Sequence, residues 1–578
     1  MADSPGYSSE DTAVDSRKGS QPSSPTRRAR KQATQQSFLL ATRAYDLLEC
    51  IVYPPLAFVL SCFNSVYQHI VRLLFVSPGG PHINPIPHGR IAIIGAGVSG
   101  ISTAAHCVDH GFKVTIFEAE EGVGGVWARE NSTSQLQLNS ILYRFHPSIE
   151  WSRAFPKRDE IIEQTKRVWE KYELQKQTRF SYRVTKVQRD PDLSTDPREG
   201  GHGRWIVNDG KEGIFDAVVC AIGTCGAPKM IEIEGQDDFA GQVLHSSQLD
   251  KADLKGKRVV IIGSGASGVE AAELAVSKGA KKIDVLARSD KWIIPRNSIF
   301  DIMLSLQPFG REMPLSFIPE WIIRKFHYRD LEDLSPVKKG LFEGTPIVND
   351  EFLQHIRQGK IAYKRGDTKK ITRQGVLFNE RERGTKSGED GEETMLSADV
   401  IIIATGYKRP SIDFLPKDLF PKDKDRDYHP PSLYLQNFST EDWSVLMTNA
   451  SYQDGLGTVG NWHIGIYARI LLVFLLDEST RPQPAAMKTW VDVVNWIKKG
   501  AWGENSAGLA FFTYAELIIY LFIFHFFNLR RLPWLPFVLF GWGVRPGRPY
   551  SVTVDAFKHG EEKVSAAVHQ LRPSSHRA

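Results

Sequence analysis

Cysteine is scarce in this chain, and the cysteines that are present have no recognisable spacing. The 578 residues include five cysteines, Cys50, Cys62, Cys107, Cys220 and Cys225. A secreted disulfide framework uses an even set of cysteines, and a zinc site uses closely spaced pairs. The cysteine number here is odd and the spacing irregular. We therefore expect no metal site and a reduced, cytosolic setting.

A large net charge and a signal peptide are also missing. The formal net charge is +5 over 578 residues, too small to indicate nucleic-acid binding. Residues 1–36 are rich in Ser, Pro, Gln and charge, so they are predicted to form a disordered polar tail. The remaining chain is long and apolar enough to bury a large core, and its length indicates about three domains.

No stretch is an uninterrupted membrane span. The stretch from Cys50 to Val71 has no formally charged side chain and is long enough to cross a bilayer. Pro54-Pro55, however, is expected to interrupt a helix there. A second apolar stretch, Leu509–Phe527, is broken by Glu516 and His525. Monotopic attachment by aromatic-rich helices fits best. A transmembrane helix near the N-terminus, and packing against the soluble domain or a partner, remain open alternatives.

A first glycine-rich turn follows a short apolar strand at residues 90–95. The turn contains Gly95, Gly97 and Gly100, a helical pattern follows, and the next strand ends at Glu118. In such a fold the first glycine makes the turn, the second admits a pyrophosphate, and the third lets helix and strand pack closely. The acid accepts hydroxyl groups of an unphosphorylated ribose. This turn is predicted to bind FAD.

A second glycine pair lies just after Glu118, in the sequence GGVW at residues 124–127. Glycines at this place would let the backbone pass close to a bulky cofactor. Gly125, Val126 and Trp127 are therefore predicted to contact FAD, and an ordinary loop is the alternative.

The strand, turn and helix pattern recurs with Gly263, Gly265 and Gly268. Its second strand contains Asp284 in the middle and closes with Arg288 rather than with an acid. An arginine at this position suits the 2′-phosphate of NADP, and the missing carboxylate removes the usual partner of NAD. This second fold is predicted to bind NADPH.

The apolar strand at 398–404 is followed by Thr405 and Gly406, which are predicted to contact a cofactor. It resembles the strand at 216–220, so we expect the chain to return to the first fold here. The predicted fold class is α/β, with two Rossmann-like dinucleotide-binding domains, the NADP domain inserted in the FAD domain, and apolar N- and C-terminal extensions. The expected segments are 1–36 (polar tail), 37–87 (apolar, membrane-associated), 88–250 (FAD domain, first part), 251–397 (NADP domain), 398–500 (FAD domain, second part) and 501–578 (apolar, membrane-associated, ending in a polar tail).

These residues together resemble the class B flavin-dependent monooxygenases, a family that includes the flavin-containing and the Baeyer–Villiger monooxygenases. The resemblance covers about residues 88–475. The linker sequence at 239–245 matches most of the signature FxGxxxHxxxY, with Leu249 in place of the final aromatic residue. The residues that carry the resemblance are the two glycine turns, Gly124–Trp127, Leu138–Ser140, Phe239–His245, Trp292–Arg296 and Ala404–Tyr407.

The resemblance implies that NADPH reduces FAD, and that a C4a-(hydro)peroxyflavin formed with O2 delivers one oxygen atom to a small, apolar organic substrate. Asn139 is the candidate catalytic residue, contacting the flavin or its peroxide, and simple turn capping is the alternative. The apolar extensions resemble those of fungal relatives, some of which act in specialised metabolism. The catalytic domains are expected in the cytosol on a membrane surface, with the endoplasmic reticulum as one candidate.

Two rival enzymes use similar folds. A disulfide reductase would place a redox-active cysteine pair soon after the first turn, where this chain has GGVW instead, so that function is rejected. An FAD-dependent NADPH oxidase or dehydrogenase that releases hydrogen peroxide remains the alternative function. Apolar residues within 297–345 are interpreted as core rather than as a substrate entrance. The glycine-rich stretch 454–461 is a further candidate near the flavin, and the oligomeric state is open.

Overall fold

The structure is a computed structural model that describes residues 53–75, 88–141, 143–191, 204–296, 315–341, 346–423, 426–448, 462–502 and 512–542. The described residues from Leu60 onward belong to one compact unit, and the sites argued below lie in it. The predicted polar tail and the glycine-rich stretch 454–461 lie outside the described residues.

The helices and strands are as follows. The helices are α1 (Tyr53–Phe75), α2 (Val98–Asp109), α3 (Val126–Arg129), α4 (Arg158–Lys171), α5 (Ala266–Ser277), α6 (Phe317–Ile322), α7 (Phe352–Arg357), α8 (Trp462–Leu476), α9 (Pro484–Trp502), α10 (Phe512–Leu521) and α11 (Trp534–Phe540). The strands are β1 (Arg90–Ile94), β2 (Lys113–Phe117), β3 (Thr178–Arg179), β4 (Val187–Arg189), β5 (Trp205–Val207), β6 (Ile214–Phe215), β7 (Ala217–Cys220), β8 (Gln242–His245), β9 (Arg258–Ile262), β10 (Lys282–Ala287), β11 (Ile293–Ile294), β12 (Ile347–Val348), β13 (Ile361–Thr372), β14 (Gly375–Glu380), β15 (Glu392–Ser397), β16 (Val400–Ile403), β17 (Lys422–Asp423), β18 (Arg426–Asp427) and β19 (Val445–Leu446).

The first sheet is parallel and has the strand order β19-β7-β1-β2-β3. Its central strand β1 is buried along Ile91–Ile94, because helices and loops cover both faces of a parallel sheet. Helix α2 connects β1 to β2, so the first glycine turn lies at the carboxyl end of β1. That end of the sheet is where open α/β folds bind ligands.

The second sheet has the order β15-β14-β13-β10-β9-β16-β8. Strands β13, β10, β9, β16 and β8 run parallel, and β14 and β15 extend the sheet with antiparallel pairing. Helix α5 connects β9 to β10, so this sheet repeats the β1-α2-β2 arrangement. The second glycine turn therefore lies at the carboxyl end of β9.

One expected boundary differs from the structure. Strand β16 pairs with β9, residue Ile402 opposite Ile261, and therefore belongs to the second sheet instead of returning to the first. Strand β8, within the segment expected to be FAD domain, also lies in the second sheet. The chain rejoins the first sheet at β19. A strand buried on both faces has the same apolar composition in either sheet, so its composition does not reveal its partner.

Helix α8 is apolar on all sides and almost completely buried, as expected of a helix inside a core. It packs on α2, where Gly465 gives space to the ring of His106. Its one cation, Arg469, donates from Nε to Val538 O at 2.8 Å and from Nη2 to Leu539 O at 3.1 Å. Burial lowers the pKa of Arg469 to about 9. Through these bonds α8 joins α2 to the end of α11.

Helix α1 is described from Tyr53 to Phe75, and Pro54 and Pro55 are among its first described residues. The helix is continuous from these prolines to Phe75, and the residues before Tyr53 lie outside the described part of the chain. The segment Phe58–Phe75 is long and apolar enough to cross a membrane, and 11% of this segment is buried inside the protein. Two shorter apolar helices are Trp462–Leu476 and Ala515–Phe526.

Candidate active site

The first glycine turn has the backbone that its sequence requires. Gly95 has φ +108°, a conformation that L side chains rarely adopt, and a Cβ there would lie 2.5 Å from Ala221 O. A Cβ at Gly100 would collide with the carbonyl oxygen of Gly95. Gly97 is the N-cap of α2, so the positive end of the helix faces the turn and favours an anion.

Glu118 is at the end of β2 and is 7% exposed. Its Oε2 accepts the backbone N–H of Ala96 at 2.6 Å, and its Oε1 accepts that of Glu120 at 2.9 Å. These bonds fix the carboxylate next to the glycine turn. An ionised carboxylate has about four acceptor positions, so two remain for ribose hydroxyls.

The GGVW segment packs against the first turn. A Cβ at Gly97 would lie 3.4 Å from Gly125 Cα, and Gly125 itself has φ +58°. Val126 and Trp127 belong to the short helix α3, and both are partly exposed. Trp127 Nε1 donates to the hydroxyl of Tyr143 at 3.1 Å. The structure thus brings the predicted residues of the first fold together. Between Gly97 and Gly125 they leave a space, here called the cradle, that depends on the absence of side chains at these two glycines.

Asn139 is 3% exposed and lies in the loop after this segment. Its Oδ1 accepts the backbone N–H of Ile141 at 3.0 Å, the geometry of an Asx turn. The side-chain oxygen therefore caps its own turn, as the alternative interpretation expected. The amide NH2 group of Asn139 is a donor that this turn does not use, and it is the group through which Asn139 could donate to a flavin.

The second glycine turn repeats the first. Gly263 has φ +115°, and its Cβ would lie 2.5 Å from Ala404 O, while a Cβ at Gly268 would collide with the carbonyl oxygen of Gly263. Thr405 and Gly406 follow Ala404, so these two predicted contacts lie beside the second turn rather than beside the first. Gly406 O is 3.0 Å from Nε2 of His245.

Arg288 is exposed at the end of β10, as the sequence predicted. Its backbone carbonyl accepts from Nη2 of Arg381 at 2.8 Å, and Arg381 is buried and paired with Asp367 at 2.8 Å. The bond from Arg381 thus fixes the backbone position of Arg288. Asp284 is buried in mid-strand and pairs with Lys282 at 3.0 Å, so it does not replace the missing strand-end acid.

The two folds meet through polar contacts that sequence reasoning missed. Glu130 accepts from the hydroxyl of Tyr407, and burial raises the pKa of this carboxyl group. Asn131 donates to Ser246 O at 2.6 Å. Motif spacing gives no signal for these contacts, because their partners are more than 100 residues apart in the chain.

Glu270 on α5 lies half-buried at this interface. It accepts from Gln137 at 3.0 Å and from Ser134 at 3.2 Å. Burial, followed by repulsion from Glu130, raises the pKa of Glu270 to about 7. The carboxyl group of Glu270 therefore binds a proton more readily than that of a solvent-exposed glutamate.

The C-terminal helices form a second candidate site, an apolar surface. Glu516 of α10 is 2% exposed and accepts from Trp490 and from Gln436, both at 2.7 Å. His525 is also buried, so the polar residues that interrupt this stretch face the protein. The residues that face outward, here called the C-terminal ridge, are Ile518, Ile519, Phe522, Ile523, Phe526 and Phe527, each 45–70% exposed.

A second exposed apolar patch lies on α6. Phe317 is 63% exposed, Ile318 43% and Trp321 56%. The interpretation of these three residues as core is therefore wrong: α6 continues into a further helical segment at Ile323–Tyr328, and its described neighbours leave these three side chains exposed. The other apolar candidates within 297–314 lie outside the described residues.

The comparisons with known proteins agree with this architecture. The family model described as FMO-like, flavin-binding monooxygenase-like, matches residues 88–426. A Baeyer–Villiger monooxygenase of Pseudomonas aeruginosa is 33% identical over 216 residues, 36% of this chain and 39% of that protein. Flavin-containing monooxygenase 2 of Homo sapiens is 29% identical over 357 residues, 55% and 61% of the two chains. The match therefore spans less than two thirds of these relatives.

Solved structures share the fold. The complex of OTEMO with FAD and NADP has a TM-score of 0.55 at 20% identity, covering 76% of this chain and 98% of that one. Cyclohexanone monooxygenase with bound epsilon-caprolactone has a TM-score of 0.55 at 15% identity, covering 75% and 98%. With the family model covering more than half of its length and both glycine turns in place, this chain belongs to the flavin-binding monooxygenase-like family.

Proposed function

We propose that this protein is an FAD-dependent, NADPH-using monooxygenase that transfers one oxygen atom from O2 to a small, apolar organic substrate. One observation carries the proposal: a single chain holds two glycine turns of the same geometry, one beside a fixed carboxylate and one beside a strand-end arginine. A carboxylate binds ribose hydroxyls, and an arginine binds a 2′-phosphate. The pair therefore fits two different dinucleotides.

The first fold is proposed to hold FAD. Gly95, Gly97 and Gly100 leave space for the pyrophosphate, and Glu118 would accept from the ribose. Gly125, with Val126 and Trp127 after it, would lie against the same cofactor. The fit rests on the cradle between Gly97 and Gly125, which a Cβ on either residue would narrow.

The second fold is proposed to hold NADPH. Gly263, Gly265 and Gly268 form the turn, and Arg288 would bind the 2′-phosphate. Thr405 and Gly406 lie next to this turn, so we assign their proposed cofactor contact to NADPH.

A bound flavin would supply hydride acceptance from NADPH and the activation of O2. The residues of this chain would hold both nucleotides and would exclude water from the space between them. Asn139 is proposed to donate its amide N–H to the flavin system.

The proposal is tested with the full chain purified in detergent. NADPH consumption, product and hydrogen peroxide would be measured together, with thioanisole and cyclohexanone as sulfur and ketone probes. The expected result is oxygenated product formed in step with NADPH consumption for at least one probe. Peroxide equal to the NADPH consumed, with either probe present, would instead support the oxidase alternative. Absence of flavin from the purified protein would contradict both functions.

We further propose that the catalytic unit attaches to one membrane surface from the cytosolic side. The C-terminal ridge presents only apolar side chains, and the exposed Arg530 follows it in the chain. Apolar faces next to cations bind the interface of a bilayer. Helix α1 is held on the folded unit: Gln68 accepts from Trp151 N at 2.7 Å, and Arg72 pairs with Glu150. These contacts favour a helix lying on the protein over a helix crossing lipid.

The ridge is tested by vesicle flotation. The triple variant Phe522→Ser/Phe526→Ser/Phe527→Ser is expected to lose most of its binding to vesicles of neutral and anionic phospholipid. A matched control is Met230→Ser/Val337→Ser, which changes exposed apolar residues far from the ridge in sequence. Full retention of the triple variant on vesicles would favour α1 as a transmembrane anchor.

A further inference from the structure

Lys291 lies beside the second glycine turn. A Cβ built on Gly265 meets one atom within 4 Å, Nζ of Lys291 at 3.7 Å. Lys291 is three residues beyond Arg288 in the chain and is half-buried. The second glycine of such a turn is the place where the backbone comes closest to the pyrophosphate. The ammonium group of Lys291 therefore borders the space that a pyrophosphate would fill.

Among the described residues, no cation lies within 4 Å of a Cβ built at the equivalent place in the first turn. There, the space beside Gly97 is bordered by the Cα and the N of Gly125. Both turns lie at a helix N-terminus that favours anions. The ammonium is thus an addition specific to the second fold, and it is not required by the turn geometry.

Asp290, the residue before Lys291, pairs with Arg365 at 2.6 Å. The side chain of Lys291 itself takes part in contacts within the protein, so a contact with a phosphate group would be made in addition to them.

We propose that Lys291 binds the pyrophosphate of the incoming nicotinamide dinucleotide. The assignment rests on the proposed binding of NADPH by the second fold, and it gives two residues of that fold different phosphate groups to bind. Arg288 recognises the 2′-phosphate and so selects NADPH, whereas Lys291 contributes equally to the binding of NADPH and NADH.

The test measures binding to the FAD-loaded full chain by isothermal titration, with no turnover. ADP-ribose carries the pyrophosphate without the 2′-phosphate, and adenosine 2′-monophosphate carries the 2′-phosphate without the pyrophosphate. Lys291→Gln is expected to weaken the binding of ADP-ribose about tenfold, which corresponds to about 1.4 kcal/mol, because the charged partner of the pyrophosphate is lost. It is expected to leave adenosine 2′-monophosphate unchanged. Arg288→Gln should give the reverse pattern.

Two further measurements keep the proposal falsifiable. Lys291→Arg should retain ADP-ribose binding, and flavin content should be normal in every variant. Unchanged ADP-ribose binding in Lys291→Gln, or a loss confined to adenosine 2′-monophosphate, would overturn the assignment of Lys291 while leaving the NADPH function in place. A wild-type protein that binds neither probe would overturn the NADPH function itself, and the assignment with it.

Discussion

The turn at residues 95–100 and the turn at residues 263–268 have the same glycine spacing and nearly the same backbone angle, φ +108° at Gly95 and +115° at Gly263. Their surroundings differ in charge. The first is faced by the carboxylate of Glu118 and by the neutral backbone of Gly125, and the second by Lys291, with Arg288 at the strand end. In the function proposed here, the glycines would make room for a dinucleotide, and Glu118 and Arg288 would determine which dinucleotide binds.

The largest effect is expected from a substitution that fills the space in the first glycine turn. Gly97→Asp would place a side chain 3.4 Å from Gly125 Cα and a carboxylate in the path of the pyrophosphate. We expect a protein that purifies without FAD, measured as the ratio of absorbance at the flavin and protein bands. The control is Gly122→Asp in the same region, because a Cβ there meets nothing within 4 Å. Full FAD content in Gly97→Asp would remove the assignment of the first fold.

The same substitution in the second turn should show whether the two folds bind their nucleotides independently. Gly265→Asp is expected to abolish NADP binding and to leave the FAD content unchanged, because the two turns lie in different sheets. Binding would be followed by titration of the FAD-loaded protein with NADP. Loss of FAD in this variant would show that the folds are not independent.

Replacing the strand-end cation should change selectivity rather than abolish binding. Arg288→Ala is expected to raise the KM for NADPH by about 10- to 100-fold, the value of one or two charge-assisted hydrogen bonds. The KM for NADH should change by less than about threefold, since NADH lacks the 2′-phosphate. The measurement is the ratio of the two KM values. An equal rise for both nucleotides would contradict the proposed role of Arg288.

The smallest expected effect concerns the contact between the folds. Burial raises the pKa of Glu270 from 4.5 to about 7. The folded protein therefore binds a proton here more tightly than the unfolded chain does. The stability that this group contributes is present below pH 4.5 and is lost as the pH rises to about 7.

Glu270→Gln removes that proton equilibrium while keeping a side chain that can accept from Gln137. We expect the variant to lose less stability than the wild type between pH 5 and pH 8, by on the order of 1–2 kcal/mol. The measurement is Tm against pH, and Glu163→Gln on exposed α4 is the control. Equal pH profiles for wild type and Glu270→Gln would show that Glu270 is not protonated at the interface.

Much of both turns was predictable from sequence. Gly95, Gly263 and Glu118 have local requirements that spacing alone reveals, since a strand, a tight turn and a helix must follow one another. Arg288 was placed correctly for the same reason. The sheet membership of β16 was not predictable, because its four apolar residues fit a buried strand in either sheet. Lys291 was also missed, because its position beside Gly265 depends on the path of the chain after β10.

The bonds from Arg469 to Val538 O and Leu539 O have a practical consequence for preparing this protein. Deleting the apolar C-terminus is a common way to make a membrane-attached enzyme soluble. Here the deletion would take away both carbonyl acceptors of a buried guanidinium beside α2, and an uncompensated buried charge costs about 3–5 kcal/mol. Truncation would therefore weaken the packing of α8 on α2 in the first fold, as well as remove the proposed lipid contact. Polar replacements on the outward face of the ridge preserve the acceptors, and they are the better route to a soluble enzyme for crystallisation.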